Sequence, residues 1–213
     1  AVQRRLFRRA MAEIRGHLRH VDFEHVERLL ELSASSEGHG RVILPGVDVI
    51  RSFDWLRFAP PGLEDNQWRN WRREAPVPGR LEIPGGLFSL SLQLIRKGDP
   101  AVNEGYNESR GYALDWAALT GPLAIRNWRP GDEYLPEGRK THQKIKTLFQ
   151  EHRIPLWDRR NWPILLSGEE IAWSAQFGVA EKFSVSTNTD VRLQVEQRQY
   201  PNRESDRSNR ASE

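Results

Sequence analysis

The chain changes hydrophobic period once, near Arg41, and that change limits its fold more than any other feature. Over residues 2–19 the apolar side chains recur at helical spacing. At 100° per residue, Leu6, Phe7, Ala10, Met11, Ile14 and Leu18 fall on one arc, and Arg4, Arg5, Arg8, Arg9, Arg15 and Arg19 on the opposite one. Asp22 suits the N-cap of a second helix carrying Val26, Leu29 and Leu30, which fades into residues 33–40. So short a connection makes the pair a helical hairpin. From Arg41 the period is two: residues 41–44, a Pro45-Gly46 turn, 47–51 and 55–58 read as an antiparallel meander. Helices followed by strands define an α+β class.

Residues 60–79 are rich in Pro, Trp and Arg and show no clear period. Residues 81–83, Pro84-Gly85-Gly86 and 88–95 read as another hairpin, and the polar stretch 97–111 as a linker. The sequence thus predicts a first unit over 1–110 and a second over 112–196. The second holds strands near 112–117, 123–128, 163–166, 170–175 and 191–195, and one helix near 141–151. Residues 197–213 carry almost no apolar side chain and alternate in charge, so disorder is expected there. There is no internal repeat.

Composition narrows the function. No apolar run approaches the ~20 residues of a membrane helix, and the charged amphipathic start is not a signal peptide. With no cysteine among 213 residues, a disulfide framework and a Cys-based zinc site are excluded; the chain fits the cytoplasm. It begins at Ala1 without an initiator Met, which predicts a piece of a longer protein. The net charge is only +3, but it is concentrated. Residues 1–20 hold six Arg against one Glu, and residues 126–160 hold nine Lys or Arg against five acids. Arginine forks suit phosphate, so two such concentrations point to a polyanion, most simply nucleic acid.

The second concentration carries the motifs. Within Ile125-Arg126-Asn127-Trp128-Arg129-Pro130-Gly131-Asp132, the last four residues follow a strand, and Pro-Gly suits a type II turn after which Asp132 can bond the backbone beyond it. That turn either serves the fold alone or sets Arg126 and Arg129 beside RNA phosphate. Residues 140–151 read as a helix burying Ile145, Leu148 and Phe149, with Lys144 and Lys146 flanking the stripe and Lys140 nearer the back. These lysines are a solvated face or a phosphate-binding one. Trp68-Arg69-Asn70-Trp71-Arg72-Arg73 is a secondary RNA-contact candidate on a loop, although Trp68, Trp71, Trp128, Trp157, Trp162 and Trp173 read better as core or interface anchors. His17, His20 and His25 lack a supporting carboxylate pattern and straddle a helix break, so no metal site is expected.

The run Ile125–Tyr134, followed by Lys144-Ile145-Lys146-Thr147-Leu148-Phe149, Arg153-Ile154-Pro155, Trp162-Pro163-Ile164-Leu165-Leu166 and Gly168-Glu169-Glu170-Ile171-Ala172-Trp173, resembles the C-terminal domain of bacterial isoleucine-tRNA lysidine synthetase. Arg4–Ala10, Phe23–Leu30 and Leu44–Gly46 resemble, more weakly, that family's middle domain. The resemblance implies a second unit built as the small β-sandwich with one helix that lysidine synthetase shares with a domain of the phenylalanyl-tRNA synthetase β subunit. It implies a parent enzyme that ligates lysine to the wobble cytidine of the CAU-anticodon isoleucine tRNA, using ATP with Mg, and so switches AUG to AUA decoding. Lysine and ATP would bind an upstream ATP-pyrophosphatase domain. The phosphate loop of that domain, S-G-G-x-D-S, has no match: Gly85-Gly86 precedes no helix and Ser167-Gly168 lacks the rest. This piece is therefore expected to hold no catalytic residue and no cofactor, and to be inactive alone.

Its partners would be the tRNA, the missing domain and, as in some relatives, a second copy. The RNA-binding set implied by charge and resemblance together is Arg126, Arg129, Lys140, Lys144, Lys146, Arg153, Arg159 and Arg160, with Arg4, Arg5, Arg8 and Arg9 of the first helix. Two alternatives stand beside it: a self-contained RNA-binding module, and a docking domain whose basic faces meet an acidic protein.

Overall fold

A computed structural model of the chain describes residues 2–62, 70–85, 88–99 and 110–199. They form two units. The first draws on residues 2–62 and Phe149–Arg159, the second on 70–148 and 160–199.

Unit 1 contains α1 (Val2–Arg15), α2 (Phe23–Ala34), β1 (His39–Leu44), β2 (Val47–Ser52) and β3 (Trp55–Ala59). The first helix stops four residues short of the expected end. Gly16 turns to φ +75° and donates its N–H to the Ala12 carbonyl, a left-handed stop that costs glycine nothing sterically. Leu18 and Arg19 thus leave the helix, and Leu6 faces solvent while Phe7 and Met11 are buried. Asp22 caps α2 as expected: its carboxylate accepts the His25 N–H, and His25 Nδ1 accepts the Asp22 N–H. At the other end Arg51 donates to the Leu32 and Ser35 carbonyls, satisfying acceptors that the last turn leaves open. Strands β1, β2 and β3 form one antiparallel meander with two-residue turns at Pro45-Gly46 and Phe53-Asp54. Phe7, Met11, Val26, Leu29, Val47 and Val49 make the core beneath it.

Unit 2 is built from β4 (Arg72–Glu74), β5 (Gly79–Glu82), β6 (Phe88–Arg96), β7 (Arg110–Asp115), β8 (Leu123–Asn127), β9 (Glu133–Tyr134), β10 (Gln143–Lys144), β11 (Pro163–Ser167), β12 (Glu170–Ser174), β13 (Gly178–Val179) and β14 (Val191–Gln199). One sheet runs β13-β12-β11-β8-β4, another β5-β6-β14-β7, and β9 pairs with β10. The inner faces supply Ile125, Leu165 and Trp173 from one sheet and Leu90, Leu114 and Val195 from the other. Tyr112 meets Trp173 edge-on at 5.6 Å between the sheets. Every residue of β11 is buried, as its apolar run requires at the centre of a covered sheet.

Several expectations change. The aperiodic stretch holds a strand, β4, which pairs with β8; three residues are too few to show alternation. Hairpin β5–β6, which the sequence assigns to the first unit, shares a sheet with β14 and β7. Strand β14 reaches Gln199, so the first residues of the expected disordered tail pair with β6, and residues 200–213 lie outside the described residues. Of the expected linker, residues 100–109 also lie outside them. The helix predicted near 141–151 begins only at Ile145 as α3 (Ile145–Glu151), because Gln143 and Lys144 pair with Tyr134 and Glu133 as strand. A short α4 (Leu156–Arg159) follows.

Candidate nucleic-acid interface

The turn after β8 organises the basic stretch. Gly131 sits at φ +97° and the Asp132 N–H donates to the Arg129 carbonyl at 3.0 Å, closing the Pro-Gly turn as the sequence predicts. Asp132 bonds backwards rather than forwards. One oxygen accepts the Arg129 N–H at 2.6 Å, and both oxygens accept the two amino groups of Arg126, at 2.7 and 2.8 Å. The Asp132 carbonyl in turn accepts the Ile145 N–H at 2.9 Å, which fixes the start of α3 to the turn. Beside them Asn127, fully buried, accepts the Trp71 N–H and donates to the Arg160 carbonyl. Burial pushes the Tyr134 hydroxyl above its usual range, with Tyr112 adding to the shift, so this ring stays neutral.

The expected RNA contacts divide by burial. Arg126 and Asp132 side chains are 9% and 12% exposed, so Arg126 braces the turn. Arg159 is buried too; its Nε donates to the Ile154 carbonyl, and its guanidinium lies 5.3 and 5.5 Å from the Phe149 and Phe53 rings. Burial lowers its pKa from the ordinary arginine value. Arg153 is exposed and gives two of its donors to Asp54 at 2.8 Å. Arg160 is half-buried.

Arg4 pairs with Glu27 and Arg9 with Glu13, while Arg5 and Arg8 project to solvent. Arg129, Lys140, Lys144 and Lys146 are exposed and meet no acid among the described residues. Three elements present them: the turn, the strand–loop before α3, and the first turn of α3. Only Lys146 stands on the helix the sequence assigned to all three lysines.

Nearby, a cavity of about 600 Å³ is lined by Asp132, Glu133, Glu169, Glu170 and Glu181 together with Arg126 and Lys182. Five carboxylates against two cations leave it acidic on balance, which favours anion contact on the exposed rim. The Trp-Arg candidate fares differently from its expectation. Trp68 and Arg69 lie outside the described residues, and Arg72 is on β4, where it pairs with Glu169. Trp128, Trp162 and Trp173 are buried anchors, as the sequence suggests.

An α-helical hairpin on a three-strand meander, followed by a two-sheet unit with a Pro-Gly-Asp turn, defines the class of the chain. Two family models match it: TilS substrate binding domain over residues 1–57 and TilS substrate C-terminal domain over residues 123–195. A curated tRNA(Ile)-lysidine synthase of Solibacter usitatus is 45% identical over 197 residues, covering 92% of this chain and 44% of that protein. One of Geobacter sulfurreducens is 32% identical over 181 residues, covering 81% and 36%. A crystal structure of a TilS C-terminal domain superposes with a TM-score of 0.53 at 22% identity, covering 62% of this chain and 99% of that one, which shows a common fold. The chain belongs to the tRNA(Ile)-lysidine synthase family and carries its substrate-binding and C-terminal domains. It spans less than half the length of these two curated relatives.

Proposed function

We propose that this chain grips and orients a tRNA for a lysidine synthase. In this reading the parent enzyme joins lysine to the wobble cytidine of the CAU-anticodon isoleucine tRNA. It acts in the cytoplasm and draws on ATP and Mg held by a separate ATP-pyrophosphatase domain. The chain itself supplies binding energy that positions a distant anticodon, the kind of term that can lower a barrier without touching the reacting atoms.

One observation carries this reading: Arg129, Lys140, Lys144 and Lys146 stand exposed, with no acid partner among the described residues, on the stretch that matches the TilS substrate C-terminal domain. Exposed cations of this kind are what a phosphate backbone neutralises. Phosphate contacts fix register and orientation and carry no base identity, so selection of the isoleucine tRNA falls to shape or to the rest of the enzyme. No helix among the described residues is long and apolar enough to cross a membrane.

The test is tRNA binding by the full chain at two salt concentrations, with the CAU isoleucine tRNA and a methionine tRNA of the same anticodon. Salt-sensitive binding, weakened by Lys144→Glu or Arg129→Glu, is expected. Failure to bind even at low salt contradicts the reading and favours docking to an acidic protein. Equal weak binding to both assigns selection to the rest of the enzyme.

A further inference from the structure

The end of the four-stranded sheet carries a second basic pocket that the sequence pattern does not reveal. Arg96 ends β6 and Lys97 follows it; on the neighbouring β14 Arg192 pairs with Ile95, so its side chain leaves the face opposite to that of Arg96. They line an open cavity of about 420 Å³ together with the loop after the 3₁₀ turn Glu181–Phe183, which contributes Ser186 and Thr187. All three cations are exposed.

This loop is held firmly. Ser184 bridges Leu114 of β7, and Thr189 Oγ1 donates to Asp115 at 3.0 Å while accepting the Ser186 N–H at 2.9 Å. The Lys97 N–H donates to the Asp190 carbonyl at 2.8 Å. Lys97 Nζ donates to the Thr187 carbonyl at 3.0 Å, leaving two ammonium protons directed elsewhere. The Ser186 Oγ accepts the Asn188 N–H at 3.3 Å, and its own hydroxyl proton remains to donate.

Two carboxylates also line the cavity, Asp99 and Asp190. Asp99 accepts the Arg96 N–H at 2.9 Å and thereby closes the turn after β6. Lys97 and Arg192 line the cavity with these two acids, and the pinned loop adds hydroxyl donors. Arginine forks beside serine and threonine hydroxyls are the donor set that phosphate oxygens accept.

We propose that Lys97, Arg192 and the Ser186 and Thr187 hydroxyls hold one backbone phosphate of the bound RNA, as a second contact separate in sequence from the Arg129–Lys146 group. This rests on the RNA-binding reading above. The loop's hydrogen bonds keep the donors in place before the RNA arrives, which reduces the ordering cost of the contact.

The experiment measures tRNA affinity against salt for the full chain and for Arg192→Ala, Arg192→Lys and Lys97→Ala. Thermal melts of each variant confirm that it is folded. Removing one phosphate-binding cation lowers the slope of log affinity against log salt by ~1. The expected result is that drop for Arg192→Ala and Lys97→Ala, with most of the slope kept by Arg192→Lys. Unchanged slopes, with wild-type binding intact, overturn this pocket while leaving the Arg129–Lys146 interface standing.

A parallel titration uses inorganic phosphate alone. Amide shifts at Lys97–Asp99 and Ser186–Thr189, with RNA affinity untouched by the variants, make the pocket a site for free phosphate and also overturn the proposal. A wild-type chain that binds no tRNA removes the interface reading itself, an outcome distinct from both.

Discussion

Two of this molecule's arginine–aspartate forks, one in each unit, differ in burial. In unit 2, Arg126 and Asp132 meet through two hydrogen bonds of 2.7 and 2.8 Å with side chains 9% and 12% exposed. In unit 1, Arg153 and Asp54 meet through two of 2.8 Å with side chains 56% and 68% exposed. Each is a two-bond fork, Arg126 through its two terminal nitrogens and Arg153 through Nε and one terminal nitrogen, but the surroundings differ. Removing one member of a buried pair strands a charge where water cannot reach it, whereas an exposed charge returns to water. Geometry alone therefore ranks the two pairs equally, and burial separates them.

The largest effect is expected at the buried fork. Asp132→Ala leaves the Arg126 guanidinium uncompensated and frees the Arg129 N–H; unit 2 should lose ~3–5 kcal/mol, read by urea unfolding with the tryptophans as probe. A loss near zero would mean that water enters the turn. Next comes Asn127→Ala, which removes the side chain that bonds the half-buried Trp71 N–H and the Arg160 carbonyl; a loss of ~1–3 kcal/mol is expected in the same assay.

Unit 1 sharpens the contrast through pH. Burial raises the pKa of Asp158, against a smaller lowering by Arg57. A carboxyl raised on folding contributes stability below its unfolded value and loses it as pH rises through the folded one. Asp158→Asn should therefore raise the midpoint of unit 1 at neutral pH and leave it unchanged in acid. Equal midpoints at both pH values would contradict the burial argument.

The smallest effect belongs to the exposed fork. The Arg153 hydrogen bond lowers the Asp54 pKa, so this contribution exists above the unfolded carboxylate range and disappears as pH falls through the lowered value. Asp54→Asn should change the neutral-pH midpoint only slightly and the acid midpoint not at all. A change as large as that of Asp132→Ala would break the comparison.

What could be read from sequence follows the same division. Elements with enough residues to show a period were legible: α2 with its Asp22 cap, the three-strand meander, and the apolar run of β11. Elements set by partners far along the chain were not. Strand β4 exists because β8 offers it an edge, and Lys144 is on a strand because Glu133 pairs with it. The Pro130-Gly131 turn was legible because glycine's φ is a local property. The role of Arg126 was not, since an arginine beside a basic run looks the same buried or exposed. Lys97 and Arg192 were invisible as a pair because nearly a hundred residues separate them.

The central claim is that unpaired exposed cations hold the RNA while paired, buried arginines hold the fold. The most direct measurement is the salt dependence of tRNA affinity for the wild-type chain and for a Lys140→Ala/Lys144→Ala/Lys146→Ala variant, each checked by thermal melting. The account predicts an unchanged melting midpoint and a slope reduced by ~2–3, about one for each phosphate no longer neutralised. An unchanged slope in a fully folded variant would contradict it.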